Sequence, residues 1–166
     1  MSFLRSNARY DGVCGVSMEA LQEKSVDFEA ICRKAGLKVT RQRLEIYQEL
    51  VRSTDHPTAE ALHRRLRRNL PNLSLDTVYR TLATFAHHGL ISRVETAESL
   101  SRFEATFARH HHLICRRCGK ISDFSWPHLD DVSLPPDVSD WGNIDSKNIV
   151  IYGICGQCLN ELPEKI

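Results

Sequence analysis

Two C-x-x-C pairs, Cys115–Cys118 and Cys155–Cys158, and a run of three histidines, His110, His111 and His112, are the residues of this chain best equipped for chemistry. The pairs stand 36 residues apart. Four thiolates offered from two knuckles make the soft tetrahedral donor set that Zn²⁺ takes in closed structural sites. The competing reading is two disulfides or four buried thiols; in a reducing compartment, paired cysteines bind metal more often than they crosslink. Cys14 and Cys32 fall outside the pattern and read as loop or core thiols.

The histidines obey a different geometry. Alternate side chains of a strand point to opposite faces. His110 and His112 therefore share one face, and His111 and Cys115 take the other. The His pair and the thiolate knuckle serve different ions, back to back on one strand. Local spacing does not say what completes the second site; Glu104, Asp123 and His56 are candidates on nearby elements. Imidazoles mixed with carboxylates suit Fe²⁺, Mn²⁺ or Zn²⁺. His63, His87, His88, His111 and His128 read as ordinary solvent or core histidines.

The elements that must position these groups change character along the chain. Residues 31–94 hold twelve Lys/Arg against five acids, a net charge of +7, whereas residues 95–166 carry −4. The front part suits a polyanion and the back part does not. From residue 27 to residue 88 apolar residues recur at helical spacing: Phe28, Ile31, Cys32 and Ala35; Leu44, Tyr47, Leu50 and Val51 after an N-cap at Thr40; Ala61, Leu62 and Leu66 up to Pro71; and Leu75, Val78, Leu82 and Phe85 from Ser74 to Gly89. Two short extended pieces, 90–95 and 100–105, follow as a hairpin. This order predicts a winged helix-turn-helix over 27–105 whose last helix reads the DNA major groove, with Thr77, Tyr79, Arg80, Thr84 and His87 facing outward. Arg64 and Arg65 are candidates for phosphate contact.

Past Ala105 the period becomes two. Residues 110–115 and 119–126 read as strands around the first C-x-x-C, 147–155 as a third strand, 127–132 as a helical turn, and 134–140 as loop. The fold class is α+β: a winged helix followed, over 106–166, by a small α/β unit with a three-stranded sheet. Residues 1–26 read as a poorly ordered extension without a secretory signal. No apolar run approaches the roughly 20 residues of a membrane span, so the expected location is the cytoplasm.

Together, "HPTAEAL", "DTVYRTLATFAHHGLI", "SRFE", "HLIC-x2-CGKISDF" and "IYGIC-x2-C" resemble the ferric uptake regulator (Fur) family over about residues 27–160. The resemblance implies a homodimeric, metal-dependent transcriptional repressor that binds double-stranded DNA at an inverted repeat and is not an enzyme. It implies a structural zinc on Cys115, Cys118, Cys155 and Cys158. It also implies a regulatory Fe²⁺ or Mn²⁺, with Zn²⁺ able to stand in, held by His56, Glu104, His110, His112 and Asp123. Within the family the peroxide-responsive repressors resemble the chain more than the plain iron regulators do: aspartate at 123, the segment "PHLDDV", and Arg109 and Lys147 where many iron regulators carry ligands of an additional site. Glu104 departs from the aspartate usual in the peroxide group. The alternative is an iron-responsive regulator without peroxide sensing. A hydrolytic metalloenzyme would need a motif such as H-E-x-x-H, which is missing, and a pure zinc-ribbon or metal-buffering module would leave the basic front part without a purpose.

Overall fold

The computed structural model describes residues 28–94, 96, 100–106, 108–144 and 147–161. The extension expected over 1–26, with Cys14, lies outside the described residues. Helices α1 (28–34), α2 (Arg41–Arg52), α3 (Ala59–Leu66) and α4 (Leu75–His87) come first. Three begin on hydroxyl caps: Thr40 accepts from the Arg43 N–H at 3.3 Å, Thr58 from Ala61 at 3.2 Å, and Ser74 from Thr77 at 3.1 Å. Each cap contributes about 1 kcal/mol. Helix α4 ends in a paired lock: Leu90 N–H bonds the Phe85 carbonyl at 2.9 Å and Gly89 N–H that of Ala86 at 3.1 Å. This end requires the left-handed backbone that Gly89 adopts, φ 66°.

The apolar faces of these helices close on one core. Phe28 stacks on Tyr47 with ring centroids 4.5 Å apart, and Phe85 meets both edge-on. Ile46, Leu50, Leu62, Val78, Leu82 and Cys32 are buried beside them, and Phe103 of the wing joins the same core. Two details of the expected stripes shift. Ile46 is fully buried and Leu44 only partly so, and in α3 it is Ala59, not Ala61, that is buried. Because α3 starts at Ala59, residues 59, 62 and 66 share its inner face.

Strands β1 (Ser92–Val94) and β2 (Arg102–Glu104) pair antiparallel as the wing, with Ser92 opposite Glu104. A second sheet has the order β4-β3-β5, from β3 (His111–Cys115), β4 (Ile121–Phe124) and β5 (Val150–Gly153). Strand β3 runs antiparallel to β4 and parallel to β5. Its core is small: Val94 from the wing packs with Ile114 and Ile121, and Val150 and Tyr152 lean on them. A helical turn α5 (Pro127–Asp130) falls where one was expected. The loop expected over 134–140 instead contains another turn, α6 (Pro136–Ser139), started by a proline whose fixed φ suits a first helical position. The last cysteine pair opens α7 (Gly156–Asn160), which the sequence pattern had not announced. Among the described residues no helix is long and apolar enough to cross a membrane.

Candidate metal centres

The four cysteines converge. Cys115 ends β3, Cys118 sits in the turn to β4, and Cys155 and Cys158 follow β5, whose Gly153 is the parallel partner of Cys115. The turn closes through Gly119 N–H to the Cys115 carbonyl at 2.9 Å, with Gly119 at φ 69°. The four sulfurs lie within 4.8 Å of one another. All four thiols are free, and Cys118 Sγ stands 3.8 Å from Cys155 Sγ. That is far too long for a disulfide, and it matches the edge of about 3.8 Å that a Zn–S bond of about 2.3 Å gives a tetrahedron. Backbone N–H groups of Cys155 and Cys118 hold the Cys115 thiol below its ordinary pKa, the first at 3.3 Å from the sulfur. Burial, together with the neighbouring sulfurs, pushes Cys158 up. Arg117 ties the knuckle to α7 by donating to the Cys158 carbonyl at 2.6 Å.

A second cluster assembles His56, Glu104, His110, His112 and Asp123. Strand register explains half of it: His112 is the direct antiparallel partner of Asp123, so both project from the face that also carries Ile114 and Ile121. Cys115 and His111 take the opposite face, as alternation requires. Glu104 ends the wing. His56 arrives on the segment before α3, which is pinned to β2 by Phe103 N–H donating to the Pro57 carbonyl at 3.1 Å.

The donor atoms crowd one point. Glu104 Oε2 lies 3.0 Å from the Nε2 of His56, 3.0 Å from that of His110 and 3.4 Å from that of His112. Asp123 Oδ1 is 2.9 Å from His56 Nε2, and the Nε2 atoms of His110 and His112 are 3.1 Å apart. Donors held about 2.1 Å from one ion stand about 3.0–3.4 Å from their neighbours, so this spacing suits a shared divalent metal. His110 Nδ1 faces the Ala108 carbonyl at 2.7 Å. A carbonyl only accepts, so Nδ1 carries a ring proton, and in the neutral ring that a metal needs the Nε2 lone pair turns inward.

In metal-free form the cluster is an ion-pair network. Burial disfavours a charged His56, but hydrogen bonds to Asp123 and Glu104 outweigh it and raise its pKa to about 9. Burial likewise opposes ionisation of Glu104, yet His112, His56 and His110 hold it well below the usual carboxylate range. His110 is raised against burial, by the Ala108 carbonyl and Glu104. His56 also carries backbone strain: its φ of 47° is left-handed, a conformation costing a non-glycine residue about 1–3 kcal/mol and found most often at functional sites.

Other histidines have structural positions. His63 Nε2 donates to the Leu73 carbonyl at 2.8 Å, and His111, fully buried, accepts from the Ile149 N–H at 3.2 Å. On α4, Tyr79 and Arg80 are exposed. The Tyr79 hydroxyl donates to Glu60, and Arg80 lies 3.7 Å from Asp76. Thr77 and Thr84 are partly exposed, with hydroxyls engaged by Ser74 at 2.8 Å and the Arg80 carbonyl at 2.7 Å. Between α4 and the start of α2 runs a groove of about 500 Å³ lined by Thr77, Arg80 and Thr84 together with Lys38 and Arg43. Sequence reasoning did not single out Lys38 and Arg43; the signal available was their place at the amino end of α2 in the basic part of the chain. On α3, Arg64 is exposed, whereas the guanidinium of Arg65 is committed to Asp55 and Ser53.

Comparison with known proteins bears on the family and the fold. The model of the ferric uptake regulator family matches residues 34–140. The peroxide-responsive repressor PerR of Staphylococcus epidermidis is 36% identical over 145 residues, covering 87% of this chain and 96% of the relative. PerR of Staphylococcus aureus is 33% identical over 144 residues, covering 86% and 97%. Among solved structures, the ferric uptake regulator of Helicobacter pylori, described as having three functional metal binding sites, superposes with a TM-score of 0.73 at 29% identity, covering 87% of this chain and 96% of that one. That of Vibrio cholerae gives 0.66 at 30% identity, covering 78% and 100%.

Proposed function

Because the chain belongs to the ferric uptake regulator family, we propose that it is a metal-dependent repressor that senses peroxide through the histidine–carboxylate cluster. Its family is one of metal-responsive transcriptional regulators, and its two donor clusters divide the work. Cys115, Cys118, Cys155 and Cys158 hold a structural zinc that braces a sheet with little core of its own. His56, Glu104, His110, His112 and Asp123 hold the regulatory Fe²⁺ or Mn²⁺.

The observation that carries the reading is where those five donors come from. His56 precedes α3 and Glu104 ends the wing, whereas His112 and Asp123 belong to the sheet and His110 immediately precedes its strand β3. When they grip one ion, the winged helix (27–105) and the sheet unit (106–166) hold a single relative orientation. In a homodimer this sets the spacing of two α4 helices against the half-sites of an inverted repeat, so metal occupancy becomes DNA affinity. Tyr79, Arg80, Thr77 and Thr84 face the bases, and Arg64 the phosphates. The expected setting is the cytoplasm.

Bound iron supplies one-electron chemistry toward peroxide that bound manganese does not readily supply. The net change for the chain would be transfer of one peroxide oxygen to the ring of His56 or His110, the other oxygen leaving as water, which would spoil an Nε2 donor and release the hinge. The relatives named as peroxide-responsive support this reading; Glu104, where those repressors usually have aspartate, favours the alternative of an iron-responsive regulator. The test is to load the zinc-containing protein with Fe²⁺ or Mn²⁺, add low peroxide without oxygen, and map the peptides by mass spectrometry. A gain of one oxygen on His56 or His110 with iron only is expected. Unmodified histidines and undiminished DNA binding in the iron form would leave the iron-responsive reading.

A further inference from the structure

His56 enters the metal cluster on a backbone that a histidine does not adopt freely, so neighbouring groups must hold segment 53–58 in place. On the wing side, Phe103 N–H bonds the Pro57 carbonyl at 3.1 Å and Arg102 reaches the His56 carbonyl at 3.4 Å. On the other side a single residue makes three contacts. Arg65, in the last turn of α3, donates from Nη1 to Ser53 Oγ at 3.0 Å and to Asp55 Oδ1 at 3.2 Å, and from Nη2 to Asp55 Oδ2 at 2.5 Å. Ser53 Oγ in turn donates to the Glu49 carbonyl at 2.8 Å. One guanidinium thus joins the end of α2, the segment and α3.

We propose that Arg65 is a positioning residue for the regulatory metal: by clamping Asp55 and Ser53 it fixes the turn that aims His56 Nε2 at Glu104 and Asp123. The inference rests on the metal-site reading above and adds to it a residue that touches none of the donor atoms. Asp55 is the immediate neighbour of His56, and with both carboxylate oxygens held in a fork its backbone has little freedom to swing. From His56 to the first residue of α3 the chain is short, so a clamp back onto that helix closes a small ring and lowers the entropy lost when His56 takes a ligand. Only arginine offers the geometry: a planar fork spans two carboxylate oxygens and a hydroxyl, whereas a lysine is a point charge. The same commitment argues against Arg65 as a phosphate contact, because a phosphate would have to displace a bidentate carboxylate.

The side chains are 37% and 54% exposed, which keeps the expected effect modest. Mn²⁺ affinity is measured by calorimetry on the zinc-loaded full chain for Arg65→Ala, Arg65→Lys, Asp55→Ala, the double Ala variant and Arg68→Ala. Arg65→Ala and Asp55→Ala should each weaken Mn²⁺ about fivefold, the size of a well-aligned, partly exposed ion pair, and the double variant should be no worse than either single one. Arg65→Lys should recover only part, the exposed Arg68→Ala should match wild type, and zinc content should stay unchanged in all. Arg65→Lys carries the test if the alanine variant does not fold. Wild-type Mn²⁺ affinity in the Arg65 variants, or losses that simply add in the double variant, would overturn the proposal. A wild-type chain that takes no Mn²⁺ would sink the metal reading itself, a different outcome from the first.

Discussion

Each unit of pH from 7 towards 9 should tighten metal binding at the histidine–carboxylate cluster about tenfold, because an ion must evict a proton from His56. Burial works against that proton, but the hydrogen bonds to Asp123 and Glu104 raise the pKa of His56 to about 9. At pH 7 the imidazolium then outnumbers the imidazole about a hundredfold, and every pH unit is worth about 1.4 kcal/mol of competition. His110, raised as well, adds to the slope. The same signs govern the metal-free fold. The pairing of His56 stabilises it fully below the unfolded pKa near 6.5 and is lost as pH rises through about 9. Glu104, held low, contributes above its unfolded value and stops contributing only as pH falls through its folded one. The assay is calorimetric titration of Mn²⁺ at pH 7.0, 7.5 and 8.0 in buffers of differing ionisation enthalpy, expecting at least about one proton released per ion at the lower end. Asp123→Asn removes the foremost carboxylate partner of His56, so proton release should shrink even as binding weakens. Constant affinity across that range, with no proton released, would refute the account of the network.

Two further outcomes are expected. Cys158→Ser should lose the tightly held zinc and, with it, cooperative unfolding of the β4-β3-β5 sheet and dimer formation, measured by metal analysis and sedimentation; a folded, dimeric, zinc-free protein would contradict a structural role. Arg80→Ala should narrow the gap between specific and random DNA by about 1–3 kcal/mol, whereas Arg64→Ala should weaken both alike and flatten the salt dependence by about one ion per contact. Equal losses in the Arg80 variant would remove α4 as the reader.

Much of this architecture was legible because its signals are local. A hydroxyl cap at Thr40, Thr58 or Ser74, followed by apolar residues at helical spacing, marks a helix within one turn of chain. Strand alternation was enough to separate His112 from Cys115. What completes the second cluster was not legible by that route. His56 and Glu104 are 48 residues apart and meet only because Pro57 pairs with the wing, a tertiary contact without sequence period. It took the family resemblance to join them. Turns α6 and α7 escaped notice because four or five residues carry too little periodicity, and in α7 the cysteine spacing masked the helix. The pairing of Arg65 was equally hidden: an arginine in a basic run reads as a free surface charge until Asp55 is seen opposite it.

The central claim is that metal held by five donors from both parts of the fold sets DNA affinity. It is tested most directly by selecting duplexes from a randomised pool with the zinc-loaded chain, with and without Mn²⁺, beside the His56→Ala variant. Inverted repeats enriched only by the wild-type chain with Mn²⁺ are the expected result. Equal enrichment without Mn²⁺, or by His56→Ala with it, would contradict the claim.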